Sequence, residues 1–149
     1  MNIDIGEQLD VDRPAAEVWA VVADYAHDPQ WRGGVTAMDP TPAGAVRVGQ
    51  RTDERMRFAG RAYRNAGVVE AVGPGRRFAW RTTAGVDAEG ARSVEETGVG
   101  TCTVKLELRV RPHGIERLLA PVLRVALRRG LRGDLARLGA LVEAGAGAR

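Results

Sequence analysis

Two carboxylates stand where the alternation of the chain puts apolar side chains. Ile3, Ile5, Leu9 and Val11 alternate with Asp4, Gly6, Gln8 and Asp10, and Glu7 falls on the apolar side of that strand-like run. Glu54 lies in a second run, Gln50 to Phe58, on the side of Met56 and Phe58, while Arg51, Asp53, Arg55 and Arg57 take the other face. An ionised carboxylate on an apolar face is costly unless it is paired. A carboxylate held in such a place can remove the proton alpha to a ketone, the step that opens an aldol cyclisation or a dehydration. Glu7 and Glu54 are therefore the candidate catalytic residues. For each the alternative is an ion pair with one of the many arginines, or a strand register that leaves it in solvent. Asp134 projects into the leucine stripe of the last helix, with Arg137 one turn on as a ready partner.

The elements that must position these groups follow from periodicity. After the first strand, Asp12 and Pro14 mark a helix start, with Ala15, Val18, Trp19 and Val22 as its buried stripe. A second short helix is expected around Asp28 to Trp31, because Pro29 suits only a first turn. From Val35 to Arg111 the pattern is that of antiparallel strands punctuated by Gly and Pro, with Ala59-Gly60 and Gly73-Pro74-Gly75 as turns. Met56, Phe58, Phe78 and Trp80 fall on inner strand faces, and Tyr63 carries a hydroxyl that needs a partner if buried. Cys102, Val104, Leu106, Leu108 and Val110 alternate with polar residues as the clearest strand of the chain. Pro112-His113-Gly114 ends the sheet. Leu119, Leu123, Leu127, Leu131, Leu138 and Val142 then recur at helical spacing from near Pro121, with Arg128, Arg129 and Arg132 on the far side. Gly130 projects onto the apolar face, where it would let the helix approach the sheet or leave room for a ligand, with a genomic bias toward Gly as the alternative. The residues from Gly145 are expected to fray.

Counting sets several chemistries aside. The single serine, Ser93, sits in no Gly-x-Ser-x-Gly elbow, and the single lysine, Lys105, lies within a strand and alternates outward. His27 and His113 form no metal-ligand spacing, and no Gly-x-Gly-x-x-Gly follows a strand. No cofactor and no metal are expected. Of 149 residues 44% are apolar and 28% charged, which fits one globular domain over 1–149. No apolar run reaches the roughly 20 residues of a membrane span. A lone cysteine and the absence of a signal-like start point to a cytoplasmic protein. The net charge of +3 comes from 21 Arg and one Lys, which with abundant Ala and Gly is the usage of a GC-rich bacterial genome. These arginines are scattered rather than gathered on one face, so specific nucleic-acid binding is not expected.

Certain stretches carry a resemblance. They are Asp12-Arg13-Pro14 after the first strand, Val18-Trp19 running into Asp24-Tyr25-Ala26-His27-Asp28-Pro29-Gln30-Trp31, and Pro74-Gly75-Arg76-Arg77-Phe78-Ala79-Trp80. Gly100-Thr101 before the last strand and the Leu/Arg terminal helix complete the order, which resembles the START-like or SRPBCC superfamily and its polyketide cyclase/dehydrase-like branch. The resemblance implies an α+β helix-grip fold, in which a curved antiparallel sheet of about seven strands wraps the C-terminal helix, with two short helices after the first strand. It also implies an internal cavity for a hydrophobic or amphipathic small molecule. Trp31 would stand near its entrance. Trp31, Met56, Phe58, Tyr63, Phe78, Trp80, Leu106, Leu123 and Leu127 become candidate ligand contacts. The alternative is ordinary core packing for Met56, Phe58, Phe78 and Trp80, a structural wedge for Trp31, and a surface or edge position for Tyr63. The function is then a polyketide-type cyclase or dehydratase, a non-catalytic lipid or quinone carrier or sensor, or a co-chaperone-like or membrane-associated module using the Arg-rich helix face. The residues leave this choice, and the oligomeric state, open.

Overall fold

In a computed structural model, which describes residues 2–145, seven strands form one antiparallel sheet. The strands are β1 (Ile3–Val11), β2 (Val35–Thr41), β3 (Arg51–Phe58), β4 (Arg61–Gly73), β5 (Arg77–Ala84), β6 (Ala88–Gly98) and β7 (Thr101–Val110). Their order is β1-β7-β6-β5-β4-β3-β2, so successive strands from β2 to β7 meander and β1 closes against β7. The residues of the expected fraying tail beyond Gly145 lie outside the described residues.

Between β1 and β2 run α1 (Ala15–Val22), a one-turn 3-10 segment (Tyr25–His27) and α2 (Asp28–Trp31). Pro14 caps α1 from outside rather than occupying its first turn, and Val18, Val21 and Val22 are fully buried. The Asp24 carboxylate accepts the Ala26 N–H at 3.0 Å, which starts the 3-10 turn and directs Tyr25 inward. Pro29 stands in the first turn of α2, as its missing N–H requires.

The long helix α3 (Ala120–Glu143) lies against β1 and closes the concave side of the sheet. Leu135, Leu138 and Val142 are buried in the main core with Val11, Val104 and Cys102. Near its start, Leu123 and Leu127 pack against a second cluster of Ile3, Ile5 and Ala120. The expectation for Gly130 is not met: it is exposed, and a Cβ there would meet nothing. Close approach occurs instead at Gly139, where a Cβ would sit 3.0 Å from Leu9 Cδ2. A side chain would therefore be tight against β1 at Gly139 and unopposed at Gly130.

Candidate functional site

A cavity of about 180 Å³ lies between the inner face of the sheet and α3. Strand parity puts Met56 and Phe58 of β3, Tyr63 of β4, Trp80 of β5 and Leu106 of β7 on its walls, and Leu127 lines it from α3. Trp80 lies across β6 because Gly90 opposite it has no side chain. A Cβ at Gly90 would come within 2.7 Å of the Trp80 ring. Trp31, only 1% exposed, lines the cavity from the end of α2.

Two candidate contacts stand elsewhere. Phe78 is buried in the core, edge-on to Trp19 and Tyr25 at 6.2 and 5.7 Å between centroids, because it lies one pair of residues nearer the α1 end of β5 than Trp80. Leu123 packs on Ile3 and Ile5 one turn before Leu127 and does not reach the cavity.

The two carboxylates separate in the same way. Glu7 is outside the cavity, where Arg132 and Arg128 of α3 reach its carboxylate, so the ion-pair alternative describes it. Glu54 lines the cavity and is also paired. Arg32 Nη1 donates to its Oε2 at 2.6 Å, and Asn65 Nδ2 donates to its Oε1 at 3.2 Å. Asp134 reaches the cavity rim, accepting from Gly33 N–H at 3.0 Å and from Arg137 at 2.7 Å.

Glu54 is one end of a chain of charges that is half-buried at Glu54 and Arg32 and buried at Asp28 and Arg92. Arg32 Nη1 also donates to Asp28 Oδ2 at 3.0 Å. Arg92 of β6 grips both oxygens of Asp28, Nη1 to Oδ1 at 2.9 Å and Nη2 to Oδ2 at 2.7 Å, and Nη1 also donates to the Val22 carbonyl at 3.1 Å. Such a two-toothed grip is the strong form of a carboxylate–arginine contact. The Arg92 guanidinium carbon stands 4.9 Å from the ring centroids of both Tyr25 and Trp31, so aromatic faces supply the rest of its surroundings. Burial alone would raise the Asp28 carboxyl pKa, but Arg92 and Arg32 outweigh it and hold this group below the usual carboxylate range. Arg32 stays firmly cationic: burial opposes its charge, and Glu54 and Asp28 more than offset that.

Tyr25 supplies a different kind of group. It is 4% exposed and lines the cavity, and among the described residues none hydrogen-bonds its hydroxyl. Burial pushes its pKa up to about 12, with Arg92 acting in the opposite sense, so the phenol stays protonated at neutral pH and can donate. Of the Arg32 nitrogens only Nη1 is engaged among the described residues, which leaves further N–H donors at the cavity wall. Alternation does not single out Tyr25, Asp28, Arg32 or Arg92. Tyr25 and Asp28 have one sequence signal, the Asp-Tyr and Asp-Pro break after α1, and Arg32 and Arg92 have none.

A seven-stranded antiparallel sheet gripping a C-terminal helix, with a cavity between them, defines a START-like, or SRPBCC, protein. Residues 3–143 match the family described as polyketide cyclase/dehydrase and lipid transport, and the chain belongs to that family. Among solved structures, it is similar to the Zhui aromatase/cyclase from Streptomyces sp. R1128. That match has a TM-score of 0.81 and 16% identity over 96% of this chain and 94% of the other. It is also similar to norcoclaurine synthase from Thalictrum flavum, at a TM-score of 0.68 and 17% identity over 97% and 88% of the two chains. A START superfamily protein from Mycobacterium smegmatis aligns at a TM-score of 0.66 and 15% identity, over 91% and 98%. At these identities the likeness is one of fold. No curated protein matches the sequence significantly.

Proposed function

We propose that the protein binds a hydrophobic small molecule bearing carbonyl groups and catalyses its aldol-type cyclisation and dehydration. The observation that carries this reading is the Arg32–Glu54 pair at the wall of an otherwise apolar cavity, beside the free hydroxyl of Tyr25. Apolar walls with a few convergent polar groups are the usual anatomy of a small-molecule site. The cavity is of the order that encloses a single aromatic ring, roughly 150 Å³, so a longer chain would hold its first ring inside and extend outward.

Arg32 and Tyr25 would hydrogen-bond a ketone oxygen and stabilise the enolate that forms there. Glu54 would take the alpha proton. The carbanion carbon then bonds to a second carbonyl carbon of the same chain, whose oxygen takes up a proton to become a hydroxyl. Loss of that hydroxyl with a neighbouring hydrogen releases water and leaves a double bond. Apolar walls serve this sequence by folding the substrate and excluding bulk water.

The test is turnover of a soluble polyketone analogue by wild type, Glu54→Gln and Tyr25→Phe, with binding measured separately by tryptophan quenching. A general base typically contributes 10²- to 10⁴-fold, so Glu54→Gln should fall by that much while still binding. Because Arg32 and Asn65 already engage both Glu54 oxygens, the same cluster would also serve a carrier that recognises a polar head group. Tight binding of a lipid or quinone by wild type, without turnover of any polyketone, would select the carrier.

A further inference from the structure

A one-turn 3-10 segment (Gly114–Arg117), the residues that lead from it into α3, and the outer face of the first turns of α3 expose apolar side chains. Ile115 and Leu118 are 75% and 81% exposed, and Leu119, Val122 and Val125 are at least half exposed. At 3.6 residues per turn Val122 and Val125 share one stripe of α3, opposite the buried Ala120 and the cavity-lining Leu127, and Leu118 is exposed just before the helix begins. Arg129 continues this outer stripe. From His113 to Gly133 the chain carries five arginines and one acid, Glu116. Arg128 and Arg132 touch Glu7 yet stay largely exposed, and Arg117 and Arg129 have no ion-pair partner among the described residues.

We propose that this face docks the protein onto an anionic lipid surface, with the aliphatic stripe in the headgroup region and the arginines against lipid phosphates. Exposed aliphatic side chains flanked by basic residues are the composition of a helix that lies in a membrane interface. A second copy of the chain fits this face poorly, because symmetric pairing would bring two sets of arginines together. A convex helical ridge needs a matching groove in a protein partner, whereas a fluid interface accommodates it without one. Docking this way also turns the cavity-bearing helix toward the phase in which a hydrophobic ligand dissolves. No bound ligand is needed for the docking itself.

Co-sedimentation of the full-length protein with phosphatidylcholine vesicles, with and without phosphatidylglycerol, tests the proposal. Binding should require phosphatidylglycerol and weaken at high salt. Arg129→Gln should weaken it about fivefold. The double variant Leu118→Asp/Val122→Asp should weaken it at least roughly tenfold. Circular dichroism verifies that the double variant folds, and Val125→Ser provides a milder probe of the same stripe. Equal binding to both vesicle types, no binding to either, or wild-type binding by the stripe variants would overturn the proposal. So would a dimer in analytical ultracentrifugation that Val122→Asp converts to monomer, which would assign the stripe to a second copy.

Discussion

Asp28 is the residue on which the site most depends. It is fully buried, touches Arg92 with both oxygens and Arg32 with one, and so links strand β6 to the wall of the cavity. Removing one partner from a buried pair leaves an uncompensated charge, which costs about 3–5 kcal/mol. Asp28→Asn should lose stability of that size in urea unfolding at neutral pH. The pH dependence has a definite sign. The folded-state pKa of Asp28 is depressed, so the unfolded chain takes up the proton first. The stabilisation is complete above the unfolded value of about 4 and is lost as pH falls through the folded one. Wild type should therefore lose stability on acidification below about pH 4 more steeply than Asp28→Asn, as read from urea midpoints across that range. Glu7 is likewise paired with two arginines, but it stands outside the cavity. Its arginine partners come from α3, more than a hundred residues on, and its role is to tie that helix to β1.

At the level of elements, β5 and β6 shape the cavity through one contact. The Trp80 ring occupies the space over Gly90, and the Glu107 carbonyl closes that space from β7. Gly90→Ala has to displace either an indole or a backbone strand. Overpacking of this kind costs about 1–3 kcal/mol. The expected result is a lowered urea midpoint together with a shift in tryptophan emission, since Trp80 is pushed into the cavity. An unchanged midpoint and spectrum would show that the ring is not seated there. The two faces of α3 illustrate a related point. Its leucine repeat was legible as a stripe, yet Val122 and Val125, with Leu118 just before the helix, form a second apolar patch that only the packed helix reveals as exposed. A helix apolar on two sides cannot be oriented from its own periodicity, because orientation depends on which side the sheet takes.

For the whole molecule, the edge strand β1 pairs with β7 along its length, Ile3 opposite Val110, and α3 packs on β1, so the N-terminal strand and the C-terminal helix are held together beside the cavity. Ligand binding to the folded state alone should then stabilise the entire fold, by about 2.7 kcal/mol at a hundredfold excess over Kd. Leu127→Trp fills the cavity from the helix side. It should abolish the thermal shift given by a hydrophobic ligand while the ligand-free protein remains folded. A retained shift would place the ligand elsewhere. Among the described residues no helix is long and apolar enough to cross a membrane.

Alternation and helical spacing determined a great deal without any structure. Ile3 to Val11, Cys102 to Val110 and the Leu123 to Val142 repeat carry their burial in their own period, because a strand or helix that buries one face must repeat every two or 3.6 residues. The short α2 was legible for a similar local reason, the restriction Pro29 places on its own backbone. The site was legible only in part. Glu54, Met56, Phe58 and Trp80 were legible because strand parity turns them to the inner face, whereas the same parity did not show that Phe78 lies in the core beyond the cavity. Arg92 lies in the run Ala-Arg-Ser-Val, where it resembles the other scattered arginines, and Asp28 resembles an ordinary helix-start acid. Their partnership spans 64 residues, and Arg32 meets Glu54 across 22. Which charge pairs with which, and whether a pair is buried or solvated, has no period along the chain. It is decided when the curved sheet and the short helices bring distant residues into one low-dielectric space, where an unpaired charge could not remain.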